Sequence, residues 1–131
     1  MLDNYNEHVA QRAQEGLPPL PLSAEQTAGL IELLKSPGDT DETILLELIT
    51  HRVPPGVDQA AYVKAAFLAD VAKATVTCPS ISQKHATVLL GSMMGGYNIQ
   101  PLIELLDDDE TAEEATAALS QITLVYDAFN D

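Results

Sequence analysis

The sequence has no tryptophan, and its aromatic residues make up only 5% of 131 positions. A core built without large rings must be filled by aliphatic side chains. Leu and Ala supply much of the 46% hydrophobic fraction, a mix that suits closely packed helices. Cysteine occurs once, at Cys78, so no intrachain disulfide can form and a reducing compartment is expected. Long apolar runs are also missing, since no stretch approaches the roughly 18 residues of a membrane span. The opening Met1-Leu2-Asp3-Asn4-Tyr5 has neither the basic start nor the apolar run of a secretory signal. Cytoplasmic localisation without membrane contact is the expectation. Positive charge is scarce and stops early: six Lys plus Arg face twenty Asp plus Glu, for a formal net charge of −14. No Lys or Arg follows Lys84, while nine carboxylates lie between Glu104 and Asp131. That field repels phosphate backbones and anionic lipid, which disfavours nucleic acid as a partner of this segment.

What is present is a repeat. Leu30-Ile31-Glu32-Leu33-Leu34 returns unchanged as Leu102-Ile103-Glu104-Leu105-Leu106, 72 positions later (30 to 102). Half that spacing lies within the roughly 34 to 47 residues of helical-repeat units, so one further hairpin fits between the copies. A leading helix through Tyr5, Val9, Arg12 and Ala13 ends at Gly16, and the prolines of Leu17-Pro18-Pro19-Leu20-Pro21-Leu22 form a stiff connector. Ser23-Ala24-Glu25-Gln26 reads as a capping box ahead of Thr27, Leu30, Ile31 and Leu34. Asp39-Thr40-Asp41-Glu42 opens the next helix, with Ile44, Leu45, Leu48 and Ile49 as its apolar face. A third arm starts at Asp58 and carries Ala60, Val63, Phe67, Val71 and Ala74 on a broad face that implies burial between two neighbours. Residues 75–80 read as a loop. Ser82 then caps a short helix with His85, Val88 and Leu89, Asn98 caps the next, and Thr111-Ala112-Glu113-Glu114 is a second capping box. The last helix carries Ala115, Leu119, Ile122, Tyr126 and Phe129. The expected fold is all-α: about seven helices in a HEAT-like stack of antiparallel hairpins, one domain over 1–131. Residues 1–22 form the leading helix and connector, and 23–131 form three hairpins.

Catalytic chemistry finds little footing. Asp107-Asp108-Asp109-Glu110 lacks the alternating ligands, central glycine and final Glu of a calcium loop, and reads as a solvated turn. His8, His51 and His85 are isolated from any second metal ligand, and Cys78 lacks a CxxC partner or neighbouring base. Gly91-Ser92-Met93-Met94-Gly95-Gly96 follows a helix and lacks the Lys-Ser/Thr pair of a phosphate loop. Arg52, beside Val53-Pro54-Pro55-Gly56, is one of only six cations and is held at a rigid turn; an intramolecular partner is favoured over a ligand. No catalytic, cofactor-binding or metal residue is assigned.

Longer stretches carry a resemblance. Tyr5, His8-Val9, Arg12-Ala13, the run Arg52-Val53-Pro54-Pro55-Gly56-Val57-Asp58, Ala60-Ala61-Tyr62-Val63-Lys64-Ala65 and Gly95-Gly96-Tyr97-Asn98-Ile99 resemble the N-terminal HEAT-like domain of bacterial aconitase B. That is the bifunctional aconitate hydratase 2 and 2-methylisocitrate dehydratase family, and the resemblance runs from Met1 to about Phe129. It implies a non-catalytic protein-interaction and dimerisation domain ahead of the catalytic body of a citric-acid-cycle hydro-lyase. The body interconverts citrate and isocitrate through cis-aconitate at a 4Fe–4S cluster; the cluster's three cysteine ligands belong to the distant C-terminal part, so Cys78 matches none of them. Implied partners are the catalytic domains of the same polypeptide and a second copy in a homodimer. Family members carry His where this chain has Gln100. The family polypeptide continues far beyond Asp131, so the sequence corresponds to an excised domain or to a stand-alone relative.

The candidate interaction surface is Arg52, Tyr97, Asn98, Gln100, Val125 and Phe129, with Val125 and Phe129 expected at a docking edge on the last helix because solenoid ends expose apolar faces. The rival readings are a stand-alone adaptor, or a small ligand-binding protein or enzyme using the Arg52 and Tyr97 loops.

Overall fold

The computed structural model describes the backbone of residues 2–16, 20–54, 58–93 and 96–130, and side chains as far as residue 122. Among the described residues there are seven helices and no strand. They are α1 (Leu2–Gln14), α2 (Ala24–Lys35), α3 (Glu42–His51), α4 (Gln59–Ala72), α5 (Gln83–Gly91), α6 (Ile99–Leu105) and α7 (Ala112–Asn130). None is long and apolar enough to cross a membrane. Helices adjacent in sequence pair as α2 with α3, α4 with α5 and α6 with α7, while α2 meets α4, α4 meets α6 and α5 meets α7. The pairing is that of three successive helical pairs laid side by side.

Four helix starts follow from local chemistry. The Ser23 hydroxyl accepts from the Gln26 backbone N–H while the Gln26 side-chain oxygen accepts from the Ser23 N–H, closing the capping box. Asp41 accepts from the Thr43 N–H at 2.9 Å, Asp58 from Ala60 at 2.8 Å and Ser82 from His85 at 3.0 Å. Each satisfies an amide that the helix itself leaves without a partner. Thr111 behaves otherwise. It is fully buried, and its hydroxyl donates to the Leu105 carbonyl at 3.1 Å, so it ties α7 to the end of α6.

Helix α4 is central, with nine of its fourteen residues buried. Its alanines, Ala60, Ala61, Ala65 and Ala72, are at or near zero exposure and let α2 and α5 come close. Lys64 shares the buried face, donating to the Thr50 carbonyl at a long 3.5 Å. Ala74, expected on the apolar face, instead lies past the helix end with φ of 63°. There the Thr75 N–H bonds the Asp70 carbonyl and the Ala74 N–H bonds Val71, the two bonds of a Schellman turn.

Two apolar faces differ from expectation. Ile44 is 49% exposed, so α3 buries Leu45, Leu48 and Ile49 alone. On α5 both His85 and Val88 face outward, and the buried side is Ala86, Thr87, Leu89 and Leu90. The identical pentads also lie in different rotational settings. The first buries Leu30, Ile31 and Leu34, whereas the second buries Leu102 and Leu105 and exposes Ile103 and Leu106. Neighbours decide which stripe of an equivalent segment is covered: α2 lies against α3 and α4, α6 against α7, α5 and α4. Residues 75–80 form the expected loop, with one isolated bridge between Cys78 and Ile81. Cys78 is buried, its Sγ 3.3 Å from the Leu34 carbonyl, in keeping with a small core residue.

Candidate functional site

The sequence-predicted residues fall into three places. Arg52 caps the C-terminal end of α3, and its Nε donates to the Tyr5 hydroxyl at 3.2 Å. Its Nη2 donates to the Leu20 carbonyl at 3.2 Å, and its own carbonyl accepts from the Leu22 N–H at 2.8 Å. One guanidinium thus holds the leading helix and the connector against α3. His8 reinforces the junction by accepting the Leu20 N–H on Nε2 at 3.0 Å, and Gln26 donates to Asn4 at 3.2 Å. An open cleft of about 690 Å³ lies alongside, lined in part by Asn4, His8, Leu20, Glu25 and Gly29.

Tyr97, Asn98 and Gln100 form the second group, at the entrance to α6. Tyr97 is half-buried and meets the Tyr62 ring edge to face, with centroids 5.4 Å apart and planes at 76°. Asn98 is 1% exposed and makes no side-chain cap. Its amide nitrogen donates to the carbonyls of Leu90 at 2.6 Å and Met93 at 3.2 Å, fastening α6 beneath the end of α5. The expected helix cap is therefore a cross-link between segments. Gln100 is exposed. Val125 and Phe129, the third group, have side chains outside the described residues.

Sequence reasoning passed over the outer face of α4. Tyr62, Ala66, Asp70 and Lys73 recur at helical spacing and are all exposed. The signal was available, because a tyrosine in line with an Asp and a Lys marks a solvent-facing stripe. Lys73 reaches across to Glu104 of α6 at 2.6 Å, so the α4 and α6 faces adjoin. The acidic connector is a turn in which the Asp108 carboxylate accepts the Glu110 N–H at 3.0 Å. Among the described residues no three His, Cys, Asp or Glu side chains are grouped to hold a metal ion.

The molecule is thus an all-helical domain in which Arg52, Asn98 and Thr111 tie successive segments together. Its sequence matches the aconitate B N-terminal domain family over residues 4–131, and the chain belongs to that family. It is 56% identical over 131 residues to the aconitate hydratase B of Pseudomonas aeruginosa and 54% identical over 131 residues to that of Escherichia coli K12. Both alignments take in 100% of this chain. The Helicobacter pylori J99 protein of the same name is 46% identical over 132 residues, covering 98% of the chain. The chain spans about 15% of the length of each of these relatives.

Proposed function

We propose that this chain serves as the non-catalytic N-terminal interaction and dimerisation domain of an aconitase B, in a HEAT-like arrangement. The parent enzyme would interconvert citrate and isocitrate through cis-aconitate in the citric acid cycle, in the cytoplasm. The observation that supports this reading is the family match, continuous over residues 4–131 of the 131. A 4Fe–4S cluster held by three thiolates does not fit the residues present. Cys78 is the single cysteine, and its sulfur is buried against the Leu34 carbonyl. The cluster and the hydro-lyase chemistry therefore belong to the rest of the parent polypeptide, and the catalytic domains of that polypeptide are the first partner, with a second copy the next.

The test is direct. The purified 131-residue chain, assayed with citrate and with cis-aconitate before and after reconstitution with iron and sulfide, should show no turnover. Turnover by this chain would sink the reading. Light scattering of the parent polypeptide with and without these residues checks the dimer: the intact protein should have twice the protomer mass, and the truncated protein should be monomeric.

A further inference from the structure

Each of α2 to α7 lies along at least one other helix, whereas α1 has no such seam among the described residues. Tyr5 is its buried side chain, with Leu2 and Val9 partly buried against the core. So thin an apolar contact leaves much of the attachment to polar ties. Arg52 Nε donates to the Tyr5 hydroxyl at 3.2 Å, Gln26 donates to Asn4 at 3.2 Å, and the Leu20 N–H donates to His8 Nε2 at 3.0 Å.

The tie at His8 differs from the other two in kind. Amides, phenols and guanidinium groups keep their protons through the neutral range, but histidine is the side chain that ordinarily changes charge there. To accept at Nε2, the ring must be neutral and carry its proton on Nδ1.

We propose that His8 is an acid-opened latch: a proton taken from water at Nε2 unfastens Leu20 and loosens α1 and its connector from the body. Once Nε2 is protonated, two N–H groups face each other where one hydrogen bond had been, and the contact becomes repulsive. The carbonyl of the same Leu20 is held by Arg52 Nη2 at 3.2 Å. His8 and Arg52 thus grip two sides of one residue, and the imidazolium forms close to a guanidinium.

The surrounding charges give the displaced ring a second setting. On α1, Tyr5 stands one turn before His8 and Arg12 one turn after it, with Asp3 and Glu7 exposed, and Glu15 is exposed just past the helix end. From α2, Glu25 is exposed and lines the same cleft of about 690 Å³ as His8. Neutral His8 holds the Leu20 backbone; charged His8 turns into the cleft toward the Glu25 carboxylate.

The experiment follows the isotope-labelled 131-residue chain by NMR from about pH 8 to about pH 5. The Leu20 amide shift should track the titration of the His8 ring, and a ring contact with the Glu25 side chain should appear in acid alone. Hydrogen-exchange protection of α1, taken relative to α4 in the same sample, should fall about three- to tenfold, as for the loss of one hydrogen bond. His8→Gln supplies an amide oxygen that accepts without titrating, and should keep α1 fastened throughout the range. His8→Phe accepts nothing, and should show the loosened α1 at both ends of it. His51, exposed beside Arg52, is the control: His51→Gln should leave the response intact. A response that persists in His8→Gln, one that His51→Gln abolishes, or a Leu20 amide indifferent to pH would each overturn the proposal. None of these readouts involves turnover or dimer mass, so the latch and the functional reading fail separately.

Discussion

Ala74 occupies the left-handed position of a Schellman turn with φ of 63°, where an L side chain crowds the following carbonyl and glycine does not. Ala74→Gly should therefore raise stability by about 0.5–1 kcal/mol, measured by urea unfolding. Gly91 has the opposite need. A Cβ built there would lie 2.6 Å from the Ala118 Cβ, where α5 crosses α7. Gly91→Ala should lower stability by about 1–3 kcal/mol, and Ala118→Gly in the same chain should recover most of the loss; a double variant no better than the single one would mean the contact is not the cause. Lys64 is held below the usual lysine pKa by burial, which penalises its ammonium form. In the window between the lowered folded value and the ordinary unfolded one, the unfolded chain binds more protons, so this residue's penalty is full below the folded value and fades as pH rises from there to the unfolded value. Lys64→Met should gain roughly 1 kcal/mol below that window and show a flatter alkaline dependence than the parent, read from urea titrations at several pH values.

At the scale of helices, Asn98 is the cross-link whose removal says most. Its amide satisfies two carbonyls at the end of α5 from a site with 1% exposure. Asn98→Ala should cost about 1–3 kcal/mol, and native-state hydrogen exchange should quicken in α6 more than in α2. Equal acceleration in both would argue against a local joint. Ser23 and Ser82 were legible as caps, and the stretches holding Asp41 and Asp58 as helix starts, because each of the four reaches an amide two or three residues ahead, so the information lies within one short segment. Asn98 and Thr111 have the same residue types in similar settings, yet their partners are Leu90, Met93 and Leu105 in the preceding segment. Only the tertiary fold supplies those carbonyls, and burial makes an unpaired carbonyl costlier than an uncapped amide open to water. The pentads make the same point about faces: composition and spacing mark both as helical, but flanking helices choose whether Ile31 or Leu105 turns inward. Arg52 was legible as a rigidly placed cation seeking an internal partner, while the partner itself, Tyr5, lies 47 residues upstream and was not. The Tyr62 and Tyr97 pair escaped for a similar reason, since its members are brought together only when α4 and α6 lie side by side.

The molecule as a whole carries a large charge imbalance. The net charge is −14. Ion pairs among the described residues include Lys35 with Glu32 at 3.5 Å and Lys73 with Glu104 at 2.6 Å. Both are partly exposed and contribute little. The remaining carboxylates repel one another across a small body, and the unfolded chain, being larger, holds the same charges farther apart. Folding therefore works against this repulsion, most of all in the cation-free stretch after Lys84, where Asp107, Asp109 and Glu110 stand exposed in one connector. Salt shortens the reach of the repulsion to about 8–10 Å at moderate ionic strength. Raising NaCl from low to physiological concentration should then add about 1 kcal/mol, or roughly 3–6 °C in melting temperature for a domain of this size. Two controls assign the gain to charge. Asp107→Asn with Asp109→Asn should raise the low-salt melting temperature and shrink the salt increment together, whereas a neutral change at the equally exposed Gln100 should leave both as they were. A melting temperature indifferent to salt in the parent chain would show that the carboxylates are already compensated within the fold.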